Sequence, residues 1–137
     1  MMENPFLARP NYVGHTGIEL THASPDFASG RLEVSEIHHQ PYGLVHGGVY
    51  CTLIETLAST SAALWAIEQG MAGAVGLSNQ TDFIRATSGG VLICEATPIH
   101  RGRTQQLWLG VINREDDGKV AARGQVRLQN VSDTEAF

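Results

Sequence analysis

The chain has 137 residues, 42% of them hydrophobic and 17% charged, which fits one globular domain over residues 1–137 with a real core. Its net charge of −5 and pI near 5.6 argue against a general nucleic-acid binder. No segment approaches the roughly 18 apolar residues that a membrane helix needs, and two cysteines are too few for a disulfide scaffold.

In chain order, residues 5–12 suggest a short helix or cover whose length Pro5 and Pro10 limit. Residues 17–22 and 27–34 read as two strands around a Ser24-Pro25-Asp26 turn, with Gly30, Leu32 and Val34 alternating against Arg31 and Glu33. A Pro/Gly-rich loop, Gln40 to Val45, then runs into His46-Gly47-Gly48 and a long helix from Gly47 to Glu68 or Gln69. Val49, Leu53, Leu57 and Leu64 keep helical spacing there, supported by Ile54 and Trp65, and Gly70 supplies a stop. Four strand candidates follow at 74–84, 91–99, 105–113 and 119–128. Ser88-Gly89-Gly90 and Asp116-Asp117-Gly118 are read as turns between neighbouring strands. In the last strand Val120, Ala122, Gly124, Val126 and Leu128 share one face, and Ala121, Arg123, Gln125 and Arg127 the other. This order predicts an α+β fold in which an antiparallel meander, with two strands before the helix, wraps around one long helix. Cys51 and Cys94 are expected in the core. The six histidines lack metal-site spacing, so no metal is expected. The opening residues Met1–Pro10 hold no apolar run of signal-peptide length, and a cytoplasmic protein is expected.

The chemistry concentrates at the helix start. Glycines there expose backbone N–H groups carrying partial positive charge, the groups that hold a carbonyl oxygen as it becomes an oxyanion. Gly48, Thr52, Glu55 and Ser59 fall on one helix face. Singly these residues are ordinary, since a helical Glu is usually solvated and a loop His usually bonds backbone; together they suggest a site. Gly47 and Glu55 are eight residues apart, about 12 Å along the axis. Reacting atoms must approach within about 3–3.5 Å. If both groups serve one reaction they must come from different subunits, with helices antiparallel across a two-fold. Polar Asn79, Thr81 and Asp82 either pair strands across such a dimer or line the site.

The spacing Gln40–x5–His46-Gly47-Gly48–x6–Glu55–x3–Ser59 resembles the hotdog-fold acyl-CoA thioesterases, most closely the phenylacetyl-CoA and Arthrobacter-type 4-hydroxybenzoyl-CoA thioesterase branch. Weaker matches are Asp82-Phe83-Ile84-Arg85-Ala86 and Pro98-Ile99-His100-Arg101-Gly102-Arg103, and the likeness runs roughly from Gly14 to Leu128. The resemblance implies a hotdog fold and hydrolysis of an acyl-CoA or acyl-carrier-protein thioester, with CoA entering only as part of the substrate. It implies that the Gly47 N–H polarises the carbonyl, that His46 and Gln40 position the thioester, that Glu55 is nucleophile or general base, and that Ser59 orients the water. Gly48, Asn79, Thr81, Arg85, Arg101 and Arg103 are the candidate substrate and CoA contacts. It also implies a homodimer with sites at the interface, pairing again into a tetramer. A non-catalytic acyl-CoA sensor is the alternative. No Gly-x-Ser-x-Gly elbow supports a serine hydrolase.

Overall fold

The computed structural model describes residues 10–133. The elements are α1 (Tyr12–Thr16), β1 (Glu19–Ala23), β2 (Ala28–Glu33), a 3-10 turn (Glu36–His38), α2 (Gly47–Glu68), β3 (Gly73–Phe83), β4 (Val91–Arg101), β5 (Gln105–Arg114) and β6 (Val120–Val131). The expected helix over 5–12 lies largely outside the described residues. The helix that is seen begins after Pro10, because Asn11 caps it by accepting from the Gly14 N–H at 2.9 Å. Gly17, at φ 80, ends it. Gly17 and Ile18 therefore close α1 rather than open β1.

All six strands form one antiparallel sheet in the order β1-β2-β4-β5-β6-β3. The expected meander holds for β4, β5 and β6, but β3 does not pair with β4. It crosses to the far edge and pairs with β6, so Ser88-Gly89-Gly90 belongs to a crossover rather than a hairpin. That crossover, residues 84–90, is fastened under the start of α2. Its Arg85, Thr87 and Ser88 carbonyls accept from the Tyr50 hydroxyl, the Val45 N–H and His39 Nε2. The Asp117-Gly118 turn does join β5 to β6, with the Arg114–Asp117 ion pair across it. A bulge at Ala121 breaks the expected alternation of β6: Ile112 pairs with Ala122 but Asn113 with Val120, and Ala121 is buried.

α2 lies across the inner face of the sheet. It buries Tyr50, Leu53, Ile54, Leu57, Ala58, Ser61, Ala62 and Ala66, whereas the expected core residues Leu64 and Trp65 are only half-buried. Small residues replace them because the second half of α2 sits close to the strands. Leu53, Ile54 and Leu57 each contribute about 1.5–3 kcal/mol by leaving water. A Cβ on Gly110 would stand 2.5 Å from Ile54 Cγ2, and one on Gly30 would stand 3.1 Å from Leu57 Cδ1; those two glycines make the seat. The helix ends in a Schellman arrangement, with Met71 N–H on the Ala66 carbonyl, Gly70 N–H on the Ile67 carbonyl, and Gly70 at φ 86. Cys94 is a core residue, as expected, and burial pushes its thiol up to about 12. Cys51 is half-buried.

A buried polar network fixes the far half of α2. Gln106 Nε2 donates to the Ala62 carbonyl (3.0 Å) and to Asn130 Oδ1 (2.7 Å), and Gln106 Oε1 accepts from Trp108 Nε1 (2.8 Å). Asn130 Nδ2 in turn holds the Gly102 and Arg103 carbonyls of the β4–β5 turn. Gln106→Leu would orphan the indole N–H and an amide oxygen in the core. At about 1–3 kcal/mol per stranded group, the variant is expected to lose roughly 2–5 kcal/mol, read as a lower urea midpoint with an unchanged slope.

Candidate active site

Four N–H groups at a helix start lack helical partners, and the loop before α2 answers three of them. The His46 N–H donates to the His38 carbonyl (2.8 Å), the Val49 N–H to the His46 carbonyl (2.9 Å), and the Gly48 N–H to His46 Nδ1 (2.8 Å). No described group accepts from the fourth, the Gly47 N–H. Because Nδ1 accepts, the His46 ring is neutral and carries its proton on Nε2. His46 thus acts as the helix cap and takes up the Gly48 N–H. Gly47 is a glycine for a further reason: a Cβ there would stand 2.3 Å from Phe83 Cε2.

Gln40 shapes the loop. Its Oε1 accepts from the Tyr42 N–H, its own N–H donates to the Leu44 carbonyl (2.7 Å), and Gly43 turns at φ 77. That leaves the Gln40 amide N–H groups without an acceptor among the described residues. His38 is buried and structural, with Nδ1 accepting from the Ser35 N–H and Nε2 donating to the Thr16 carbonyl at 2.6 Å.

Along α2 the predicted face is real. Glu55 is exposed and makes no ion pair among the described residues, and its carboxylate lies over β3 (a Cβ on Gly76 would stand 3.4 Å from Glu55 Oε1). Ser59, one turn on, is half-buried and its hydroxyl bonds no described group. Gly47 and Glu55 therefore approach the same edge strand at two points, Phe83 and Gly76.

Asn79 and Thr81 bond within the chain. Asn79 Nδ2 donates to the Cys51 carbonyl (3.0 Å) and Thr81 Oγ1 donates to Asn79 Oδ1 (2.7 Å), which ties β3 to α2. Of the arginines, Arg101 is already engaged: it pairs with Asp26 at 2.7 Å, donates to the Pro25 carbonyl, and lies over Trp65 at 5.5 Å. Arg85 and Arg103 are exposed and pair with no described carboxylate, although Arg85 Nη1 rests on the Val120 carbonyl. Sequence reasoning missed Gly76 as a partner of the site. A glycine inside a strand marks close approach of another group, and that signal was available at Gly76.

Among the described residues no cluster of His, Cys, Asp or Glu could hold a metal ion, and no helix is long and apolar enough to cross a membrane.

Residues 42–121 match the thioesterase superfamily. A protein of Mycobacterium tuberculosis that carries an esterase name is 48% identical over 116 residues, covering 84% of this chain and 82% of that one. Its solved structure superposes with a TM-score of 0.84 over 88% of this chain and 95% of that chain. The proofreading thioesterase EntH of Cronobacter turicensis is 37% identical over 103 residues, 75% of this chain and 74% of that one. A solved thioesterase of Haemophilus influenzae, 31% identical, gives a TM-score of 0.84 over 93% of this chain and 87% of that chain. With its sheet folded around one long helix, the chain belongs to the thioesterase superfamily as a hotdog-fold thioester hydrolase.

Proposed function

We propose that the protein hydrolyses acyl-CoA thioesters in composite sites formed by two copies of the chain. One observation carries this reading: the unmet Gly47 N–H and the unpaired Glu55 carboxylate lie against the two ends of β3, an edge strand. Val75, Leu77, Phe83 and Ile84 are exposed along and just beyond it. An exposed edge with apolar side chains is a template for pairing with another strand. A second β3, antiparallel and related by a two-fold near Asn79 and Gln80, brings the Gly76 end of one strand beside the Phe83 end of the other. Glu55 of one copy then faces Gly47 of the other, which the helix rise forbids within one chain.

In that site the thioester carbonyl oxygen accepts from the Gly47 N–H, and the start of α2 stabilises the negative charge that develops there. Glu55 of the second copy either attacks the carbonyl carbon, giving a mixed anhydride that water then opens, or takes a proton from an attacking water. In this reading Ser59 holds that water and the Gln40 amide holds the thioester. Either route ends in a free acid and a thiol. The same pairing brings Arg85, just past the end of β3, toward Arg103 of the second copy. This follows because Asn130 holds Arg103 close to Val131, which pairs with Gly73 at the start of β3. Two cations from two subunits at one end suit the phosphates of CoA. The dimer is the unit this chemistry needs, and back-to-back pairing of two dimers would complete the expected tetramer in the cytoplasm.

Glu55→Gln is expected to lower kcat on a good acyl-CoA by about 10²–10⁴-fold, and ¹⁸O from solvent water appearing in Glu55 during turnover would mark the anhydride route. Gly47→Pro deletes the N–H at a helix position that tolerates proline, with Phe83→Ala added to clear the ring and Phe83→Ala alone as control. Both parents are inactive, but mixed after dissociation they should regain about a quarter of wild-type sites, since half the dimers are hybrids with one intact site each. No recovery would sink the composite arrangement. His46→Ala should lose about 1 kcal/mol of stability together with activity, while His46→Asn, which still caps, keeps most of the stability. Arg85→Ala and Arg103→Ala should each raise KM for acyl-CoA several-fold and leave the same acyl group on a pantetheine fragment unaffected.

A further inference from the structure

Tyr12 lies outside every motif and yet reaches the catalytic face of α2. Its Oη is 2.8 Å from Thr52 Oγ1, and Thr52 Oγ1 itself donates to the Gly48 carbonyl at 2.8 Å. With the single Thr52 proton spent, the bond from Tyr12 runs one way: the phenol donates to Thr52. Thr52 sits between Gly48 and Glu55 on their shared face, so the ring stands within one helical turn of both. Tyr12 nevertheless remains 66% exposed, with its hydroxyl anchored on the stripe.

The ring is also held in place. α1 is capped by Asn11 at one end, and at the other His38 Nε2 grips the Thr16 carbonyl. Val13, the next residue, packs on the core. A five-residue helix fixed at both ends and stapled to α2 through Thr52 presents a rigid aromatic surface, and rigid walls discriminate better than mobile ones.

Direction decides which part of a thioester meets it. From the Gly47 donor, Phe83 and then Arg85 lead outward past the end of β3, where the charged arm of CoA finds its cations. Thr52 and Tyr12 lie the opposite way, toward the middle of α2, about 7.5 Å along the helix axis from Gly47. We infer that Tyr12 is a specificity residue of this chain, a wall that meets the acyl group and limits its length and bulk. The inference rests on the acyl-CoA reading above.

The test is kcat/KM measured over a homologous series of straight-chain acyl-CoAs for wild type, Tyr12→Ala, Tyr12→Phe and Glu55→Ala. Tyr12→Ala should move the optimum toward longer acyl groups, changing the long-to-short ratio on the order of tenfold. Tyr12→Phe keeps the ring but loses its bond to Thr52, so its profile should fall between those of wild type and Tyr12→Ala, and inhibition by free CoA should change less than about twofold in either variant. Profiles of Tyr12→Ala and wild type that run parallel would overturn the inference, as would a change confined to free-CoA inhibition, which would place the ring against the thiol arm. Glu55→Ala separates the two levels. If it stays active, the acyl-CoA mechanism itself fails; if it is dead while Tyr12→Ala leaves the profile unmoved, only the wall fails. Tyr12 is exposed, so neither substitution opens a cavity in the core, and cooperative thermal unfolding of both variants well above the assay temperature excludes loss of folding as the source of a shift.

Discussion

The seating of Ile54 against Gly110, and of Leu57 against Gly30, is the contact on which the rest of the arrangement depends. A side chain at either glycine would collide with the helix, so the sheet curves around α2 only because those positions are bare. With α2 at that distance, its apolar residues are spent on the sheet and its Gly48–Thr52–Glu55–Ser59 face is left over. The buried Gln106–Asn130–Trp108 network fixes the other half of the helix, so the axis cannot slide along the strands. Packing at the core thus sets where a backbone N–H and a carboxylate stand at the rim.

The crossover that sends β3 to the sheet edge has two consequences that belong together. It passes beneath the start of α2 and supplies the carbonyls that hold Val45, Tyr50 and His39, so the loop before the helix is fastened by hydrogen bonds as well as by the buried Val45 side chain. It also leaves β3 with one unpaired side, next to the two groups that chemistry would use. Had β3 paired with β4, as chain order suggests, this edge would be interior and both Gly47 and Glu55 would face a covered sheet. Asn79 and Thr81 reinforce the edge by tying it to the Cys51 carbonyl. Their polarity serves this tie.

The elements were legible in the sequence because they are local. Period-two runs, the Asp117-Gly118 turn and the Gly70 stop each act over a few residues, and the observed bounds of α2 and of the strands differ from the expected ones by little. The crossover was not legible, because strand pairing across the sheet depends on long-range contacts that a Ser-Gly-Gly turn does not encode. The same limit explains Leu64 and Trp65: helical spacing marks an apolar stripe but not how close the sheet comes, and closeness favoured Ala58, Ser61, Ala62 and Ala66. At the candidate site, Gly47 and Glu55 could be singled out from their types and spacing. The bond partners of Arg101 could not, since Asp26 and Trp65 are remote in sequence.

The start of α2 shows how a single donor is singled out. Every orphan N–H at a helix start costs free energy when it is kept from water, so folds ordinarily pair all of them. Here the neutral His46 ring and two carbonyls pair three and leave Gly47, the one whose Cβ-less backbone lies under the Phe83 ring. A serine or aspartate at the cap position would accept just as well from Gly48, but it is short and carries no second ring nitrogen. Histidine holds the Gly48 N–H through Nδ1 and keeps its Nε2–H free of any described partner, so the residue that closes the helix retains a donor of its own. Selectivity among chemically identical backbone groups therefore comes from the tautomer of one side chain and from the absence of another.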